Sequence, residues 1–206
     1  MTCFQAAKPL LARVSVSLSL LAVLAPVASW AGVANTPHFV SPGQSAIGFE
    51  PELTLTNGAG LGFNARYQHG VSDLNNLNLI IGSGGGPRKF RVGGNFTFDF
   101  FPDIEGQPGI GIAGQGIYWN LKTDSRFELT GIPYVHKTFA TPGGEVEPYF
   151  AFPFGLGFSS GTYQAISNVA VGALFKTTEK FRYLLELGIN VNHSDSYVSG
   201  GIVYYP

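Results

Sequence analysis

Read along the chain, apolar residues recur at every second position, segment after segment. Across 89–101, Phe90, Val92, Phe96, Phe98 and Phe100 share one parity, and Arg91, Gly93, Asn95, Thr97 and Asp99 share the other. Across 147–158, Phe150, Phe152, Phe154, Leu156 and Phe158 oppose Glu147, Tyr149, Ala151, Gly155 and Gly157. Across 182–192, Tyr183, Leu185, Leu187, Ile189 and Val191 oppose Arg182, Glu186, Gly188, Asn190 and Asn192. A strand sends successive side chains to opposite faces. The spacing therefore predicts strands with one greasy face and one polar or very small face. Extended along the chain, it predicts ten strands near 46–56, 60–69, 74–82, 88–101, 108–119, 127–139, 146–158, 163–177, 181–192 and 196–205. Turn chemistry punctuates them, at Asn57-Gly58, at the run from Ser83 to Pro87, at Pro102-Asp103, at Pro142-Gly143-Gly144, at Ser159-Ser160-Gly161 and at His193-Ser194-Asp195. The fifth and sixth strands are the least regular, so eight strands is the alternative count. No helix, linker or second domain is predicted in this region.

The N-terminus breaks the pattern. Lys8 and Arg13 precede an apolar run from Val14 to Ala28, and Ser29-Trp30-Ala31 is a small-x-small cleavage site. Residues 1–31 are expected to be a secretory signal, 32–45 a Pro-containing lead-in, and 46–206 a barrel domain. The only cysteine, Cys3, lies before the apolar run, so the processed chain would hold no disulfide and no thiolate. Loss of Lys8 and Arg13 leaves ten basic residues against thirteen acidic ones, a net charge of −3. Without a basic excess, nucleic acid is an unsuitable partner. Only 12% of the chain is charged, against about 25% in ordinary soluble domains.

Which face points outward decides the class. The polar parity is also the small parity, with Gly48, Gly62, Gly93, Ala151, Gly155, Gly157, Gly172 and Gly188 on it. A water-facing surface has no need to be small, whereas side chains crowd the axis of a narrow lumen. Tyr67, Tyr118, Tyr163, Tyr183, Tyr197 and Tyr205, with Trp119, fall near strand ends in the register expected of an aromatic girdle at the membrane surfaces. The expected fold is therefore all-β: a closed, antiparallel, up-and-down transmembrane β-barrel with short turns on both sides. A secreted, soluble β-barrel binding module with a Phe-rich core is the alternative.

Signal segment, alternating strands, girdle and chain end together resemble a small, 8–10-stranded bacterial outer-membrane β-barrel. The C-terminal run Ser199-Gly200-Gly201-Ile202-Val203-Tyr204-Tyr205 resembles the signal read by the barrel-assembly machinery, with Gly200, Val203 and Tyr205 at its marked positions. Such chains usually stop at the aromatic, and this one adds Pro206. The resemblance implies an outer-membrane location with both termini in the periplasm. It implies outer-membrane lipids, lipopolysaccharide and the assembly machinery as partners. With an even strand count, the outward connections would be the short ones near 57–59, 83–87, 120–126, 159–162 and 192–196.

Chemistry is sparse. The lumen parity holds Glu50, Glu52, Arg66, Arg91, Asp99, Glu128, Glu147, Lys176, Arg182 and Glu186. Buried charges must pair, so these are expected to form either a closed ion-paired plug or the lining of a narrow, mildly cation-preferring passage. The run from Gly109 to Gly114 spells a dinucleotide fingerprint but continues as strand, where that motif has no helix to work with. His193-Ser194-Asp195 places three catalytic residue types together, which raises a lipid A deacylase-like enzyme as an alternative. Adjacent residues on a turn are not the spatial arrangement a triad needs. His38, His69, His136 and His193 show no metal-ligand spacing. No cofactor and no catalytic residue are expected, and the role expected is a structural or small-solute, porin-like barrel.

Overall fold

The computed structural model describes residues 39–56 and 58–206. The expected signal segment, most of the lead-in, His38 and Asn57 of the Asn-Gly turn lie outside the described residues. Twelve strands follow in chain order: β1 (Ser45–Thr54), β2 (Gly60–Ser72), β3 (Asn75–Ser83), β4 (Arg88–Phe101), β5 (Gly109–Leu121), β6 (Ser125–His136), β7 (Phe139–Thr141), β8 (Gly144–Ala151), β9 (Phe154–Ser159), β10 (Thr162–Lys176), β11 (Phe181–Asn192) and β12 (Tyr197–Tyr204). All neighbours pair antiparallel. Strand β1 pairs with both β2 and β12, which closes the sheet on itself.

Strands β8 and β9 are two halves of one wall position. Both sit between β6 and β10. The barrel thus has ten wall positions, the preferred count from the alternation, and β7 is a short addition on the edge of β8. The break falls at Phe152-Pro153. Proline has no N–H to give to the ladder, so pairing resumes only at Phe154. The Phe152 amide bonds the Pro133 carbonyl and the Pro153 carbonyl accepts from Asn168, which keeps the wall closed across the gap. The sequence pattern ran this position as one strand because Phe152 and Phe154 keep the outward parity through the break.

The alternating faces sort as period two requires. Forty large apolar or tyrosine side chains are exposed among the described residues, while the inward positions are mostly polar or small. Phe96, Phe152 and Phe154 are exposed and Phe98 is half-exposed. A soluble protein seldom exposes contiguous apolar patches beyond a few hundred Å². Here the apolar surface encircles the sheet, the inverse of a soluble barrel with an apolar core.

One end of the barrel, the hairpin rim, carries the connections 55–59, 84–87, 122–124, 160–161 and 193–196. The other, the terminal rim, carries the start of β1 and the end of β12. From the terminal rim the described part of the lead-in turns inward. Gly43 and Gly70 bond through their backbones, and the Val40 amide donates to Asn76 Oδ1 at 3.2 Å. Gly70 faces this segment so closely that a Cβ there would lie 2.2 Å from the Val40 and Ser41 carbonyl oxygens. Phe39 then packs inside the barrel on Ala113, Ile132, Tyr134, Ala151, Ala170 and Tyr197.

Candidate functional site

Among the described residues, the buried polar groups gather in the interior. Near the hairpin rim three arginines meet three carboxylates. Glu52 is bridged by Arg91 and, at 3.5 Å, by Arg88, which also reaches Asp195 at 3.5 Å. Arg126 pairs with Glu128 at 2.9 Å. The Trp119 indole N–H donates to Glu128 at 3.0 Å, and the Arg91 guanidinium lies 4.9 Å over the same ring. Trp119 is thus the centre of this tier, held by a charge-assisted hydrogen bond and a cation–π contact.

Around the barrel's waist, Arg66 pairs with Glu50 at 2.9 Å. Glu186 accepts from the hydroxyls of Tyr149 and Tyr197, the latter at 2.6 Å. Amides continue the network across the wall: Asn78 donates to Asn95 at 2.6 Å, Asn95 to Gln115, and Gln115 to Thr130. Toward the terminal rim the His136 ring sits between Asp99 at 3.0 Å and Glu147 at 2.8 Å, and Tyr134 donates to Asp99 at 2.8 Å. The Phe39 ring lies 6.1 Å from the imidazole, centroid to centroid.

The carboxylates outnumber their partners. Among the described residues, seven acidic side chains are buried against four arginines and one histidine. Glu186, which no arginine or histidine among the described residues bridges, accepts from Tyr149 and Tyr197, while Tyr134, Trp119 and Asn64 add neutral donors to Asp99, Glu128 and Glu52. The described residues contain no cluster of histidines, cysteines or carboxylates spaced to hold a metal ion.

The sequence-derived lumen residues separate into two groups. Glu50, Glu52, Arg66, Arg91, Asp99, Glu128, Glu147 and Glu186 are buried in the tiers just described. Lys176 and Arg182 are not enclosed with them. Lys176 pairs at the terminal rim with Glu145 and Glu179, and Arg182 lies 5.2 Å over the Tyr205 ring. Both sit at the strand ends, where inward parity opens to the mouth.

Three aromatic assignments are corrected. Trp119, Tyr197 and Tyr205 do not belong to an outward girdle. Trp119 and Tyr197 are 1% and 0% exposed inside the barrel, and Tyr205 continues the inward parity of β12 beneath Arg182. Tyr67, Tyr118, Tyr163 and Tyr183 do face outward. In the C-terminal run, Val203 is fully buried inward, so the outward residues there are Ile202 and Tyr204. The parity of β12 is set by its register against β1 and β11, which the chain end alone does not reveal.

Residues absent from the sequence-derived set complete the tiers: Arg88, Arg126, Asp195, Tyr134 and Tyr149. Arg88 escaped because a bulge at Lys89 sends two consecutive residues, Lys89 and Phe90, outward. Each of three interior tyrosines faces a glycine on the adjacent strand, a match that only the register shows. Tyr134 pairs with Gly111, Tyr149 with Gly172 and Tyr197 with Gly188. A Cβ on Gly188 would lie 2.0 Å from the Tyr197 ring, and one on Gly172 would lie 2.4 Å from Tyr149. Glycine here makes the space into which the neighbouring ring folds. Smallness, however, is not confined to the lumen side. Gly94, Gly114, Gly116 and Gly131 follow the outward parity, paired Gly94 to Gly116 and Gly114 to Gly131.

The turn His193-Ser194-Asp195 does not assemble a triad. Asp195 accepts from Thr56 at 2.9 Å and faces Arg88, the Ser194 amide is held by Asn190, and His193 adopts a left-handed φ of 44°.

No protein-family model and no curated protein matches the chain. Among solved structures, an outer membrane channel from Pseudomonas putida F1 is similar, with a TM-score of 0.51 at 11% identity over 85% of this chain and 100% of that one. The fold is that of an outer-membrane β-barrel. A de novo designed transmembrane β-barrel aligns over 82% of this chain and 100% of its own, at 15% identity and a TM-score of 0.40. The N-terminal β-barrel domain of OprF from Pseudomonas aeruginosa aligns over 80% and 99%, at 12% and 0.35. As a barrel of this kind, the chain presents its apolar face where lipid hydrocarbon would lie and keeps its charges inside. The interior space bordered by Gln115, Glu128, Thr130, Ile166 and Asn168 amounts to about 10 Å³, close to the least that holds one water molecule.

Proposed function

We propose that this protein is an integral outer-membrane barrel, oriented with both termini in the periplasm, that acts as a closed structural element without catalysis. The observation that carries this reading is the network of buried ion pairs and hydrogen bonds that crosses the interior. Buried ion pairs, ring contacts and amide relays run from Asp195 at the hairpin rim to His136 and Phe39 near the terminal rim. Charges that must pair in a low-dielectric interior leave little free bore in so small a barrel. The short hairpin connections accord with a role inside the membrane rather than one of reaching beyond it. Reconstitution into a planar bilayer tests the reading. No single-channel steps are expected. Regular steps would overturn it in favour of a second reading, a small-solute channel, to which the fold likeness with the Pseudomonas putida channel lends support.

A further inference from the structure

The segment ahead of β1 crosses the mouth of the barrel at the terminal rim. Ser41-Pro42-Gly43-Gln44 has the residues and the bond of a tight turn. The Gln44 amide donates to the Ser41 carbonyl at 3.0 Å, and Gly43, following proline, takes a left-handed φ of 75°. The turn folds the chain back into the lumen as a strap tethered to the near wall. The Gly43 amide donates to the Gly70 carbonyl at 2.8 Å, the Gly70 amide to the Gln44 carbonyl at 3.0 Å, and the Val40 amide to Asn76. Val40 packs on Ala46 and Val203. These partners lie on β1, β2, β3 and β12. Phe39 reaches the opposite wall, onto Ala113, Ile132, Ala151 and Ala170 of β5, β6, β8 and β10.

The pocket that receives Phe39 differs from the rest of the interior. Elsewhere the inward positions carry ion pairs and amides. Here the register sets apolar residues side by side, Ala113 opposite Ile132 and Ala151 opposite Ala170. Tyr134 and Tyr197 wall the pocket, and the His136 ring borders it. The polar groups at its edge are engaged: the Tyr134 hydroxyl with Asp99, the Tyr197 hydroxyl with Glu186, and the imidazole nitrogens with Asp99 and Glu147. A guest there is offered no free hydrogen-bond donor, and the Asp99 and Glu147 carboxylates disfavour an anion. The wall residues are at most 3% exposed, whereas Phe39 itself is half-buried. The aromatic ring that the pocket holds thus comes from the strap and not from the barrel wall.

We infer that this pocket is a binding site for a small, uncharged aromatic solute, and that Phe39 is the self-ligand that fills it in the resting barrel. Solute entry displaces Phe39 and frees the strap from the mouth. The inference goes beyond the closed barrel proposed above, because it makes closure at the terminal rim reversible. It concerns the interior alone, so it can be tested in detergent whichever membrane the barrel occupies.

The test uses the full chain refolded in detergent, carrying Cys3→Ser and Val40→Cys so that a single thiol reports on the strap. Toluene is the probe and benzoate its charged counterpart. Labelling of the buried thiol is expected to be slow without solute and several-fold faster at saturating toluene, while benzoate leaves it slow. Gly70→Ala frees the strap without any solute, because its Cβ would lie 2.2 Å from the Val40 and Ser41 carbonyl oxygens. That clash should speed labelling by about tenfold or more. Phe39→Ala removes the competitor, so toluene should raise its unfolding temperature more than that of the wild type. Ala170→Leu or Ala113→Leu fills the pocket, and toluene should no longer alter the labelling rate. An unchanged rate in saturating toluene, with Gly70→Ala still fast, overturns the solute site. Acceleration by toluene that persists in both pocket-filling variants places the solute elsewhere and overturns it as well. Slow labelling of Gly70→Ala overturns the strap, and equal stabilisation of Phe39→Ala and the wild type overturns the competition. Heat-shifted gel mobility shows that each variant is folded, and the planar-bilayer recording judges the closed resting barrel separately.

Discussion

Two glycines on opposite faces of the same sheet should respond in opposite ways to one methyl group. Gly188 faces inward, and a Cβ on it would lie 2.0 Å from Cε1, 2.5 Å from Cζ and 2.6 Å from Cδ1 of Tyr197. No rotation of a ring clears three such contacts at once, so Gly188→Ala must move Tyr197 bodily. Overpacking of this kind costs about 1–3 kcal/mol. The moved ring also loses its 2.6 Å hydrogen bond to Glu186, a bond to a charged group worth about 1.5–3 kcal/mol. Gly188→Ala is therefore expected to destabilise the barrel by about 3 kcal/mol or more. Gly114 faces outward with nothing within 4 Å of its Cβ position. Gly114→Ala should be neutral or stabilise by about 0.5–1 kcal/mol, since alanine loses less backbone freedom on folding. Urea unfolding in lipid vesicles, followed by the folded and unfolded bands on a cold gel, measures both. Trimming the ring in Gly188→Ala/Tyr197→Ala should remove the steric part of the penalty, so the double variant falls well short of the sum of the singles. Equal costs at Gly188 and Gly114, or additivity in the double variant, would refute the assignment of faces.

Three further outcomes follow from the same geometry. Trp119 is the only tryptophan beyond residue 31, and its emission in vesicles of brominated lipid should be far less quenched than that of a Tyr118→Trp/Trp119→Phe variant, whose indole would face the acyl chains; equal quenching would place Trp119 outside. Because Glu50 and Arg66 are both buried and paired at 2.9 Å, Glu50→Leu or Arg66→Met alone should cost about 3–5 kcal/mol, while the double variant should cost much less; a double-variant cost equal to the sum would show that the pair is not coupled. Burial in the hairpin-rim connection raises the Asp195 carboxyl to about 6, above its unfolded value of about 3.9. The folded state thus holds this proton more tightly, so its contribution is present below about pH 4 and is lost as pH rises through about 6. Asp195→Asn should abolish this fall in unfolding midpoint between pH 4 and 6, and a variant that keeps the wild-type slope would assign the titration elsewhere.

Period-two alternation carried most of the architecture without any tertiary information. A strand's side chains must alternate, so Phe96, Phe152 and Leu187 on one parity and Arg91, Glu147 and Glu186 on the other were enough to define a sheet with one apolar face, to favour ten wall positions over eight, and to place most of its charged interior. The small residues Gly172 and Gly188 on the polar parity were enough to say that this face was crowded. What alternation could not reach were positions whose parity depends on a partner strand. The bulge at Lys89 shifts Arg88 inward and Lys89 outward, and it exists only because β4 pairs with β5. Trp119, Tyr197 and Val203 point inward beside Arg91, Gly188 and Gly48 on neighbouring strands, partners that only the pairing register identifies. The outward glycines, Gly94 with Gly116 and Gly114 with Gly131, likewise declare themselves only once their strands are laid side by side. Alternation alone dictates that apolar residues lie on one face of the sheet and most polar or charged ones on the other. Closure of the sheet decided which charges meet and which rings fold inward, because pairing energy depends on distances that only the register sets.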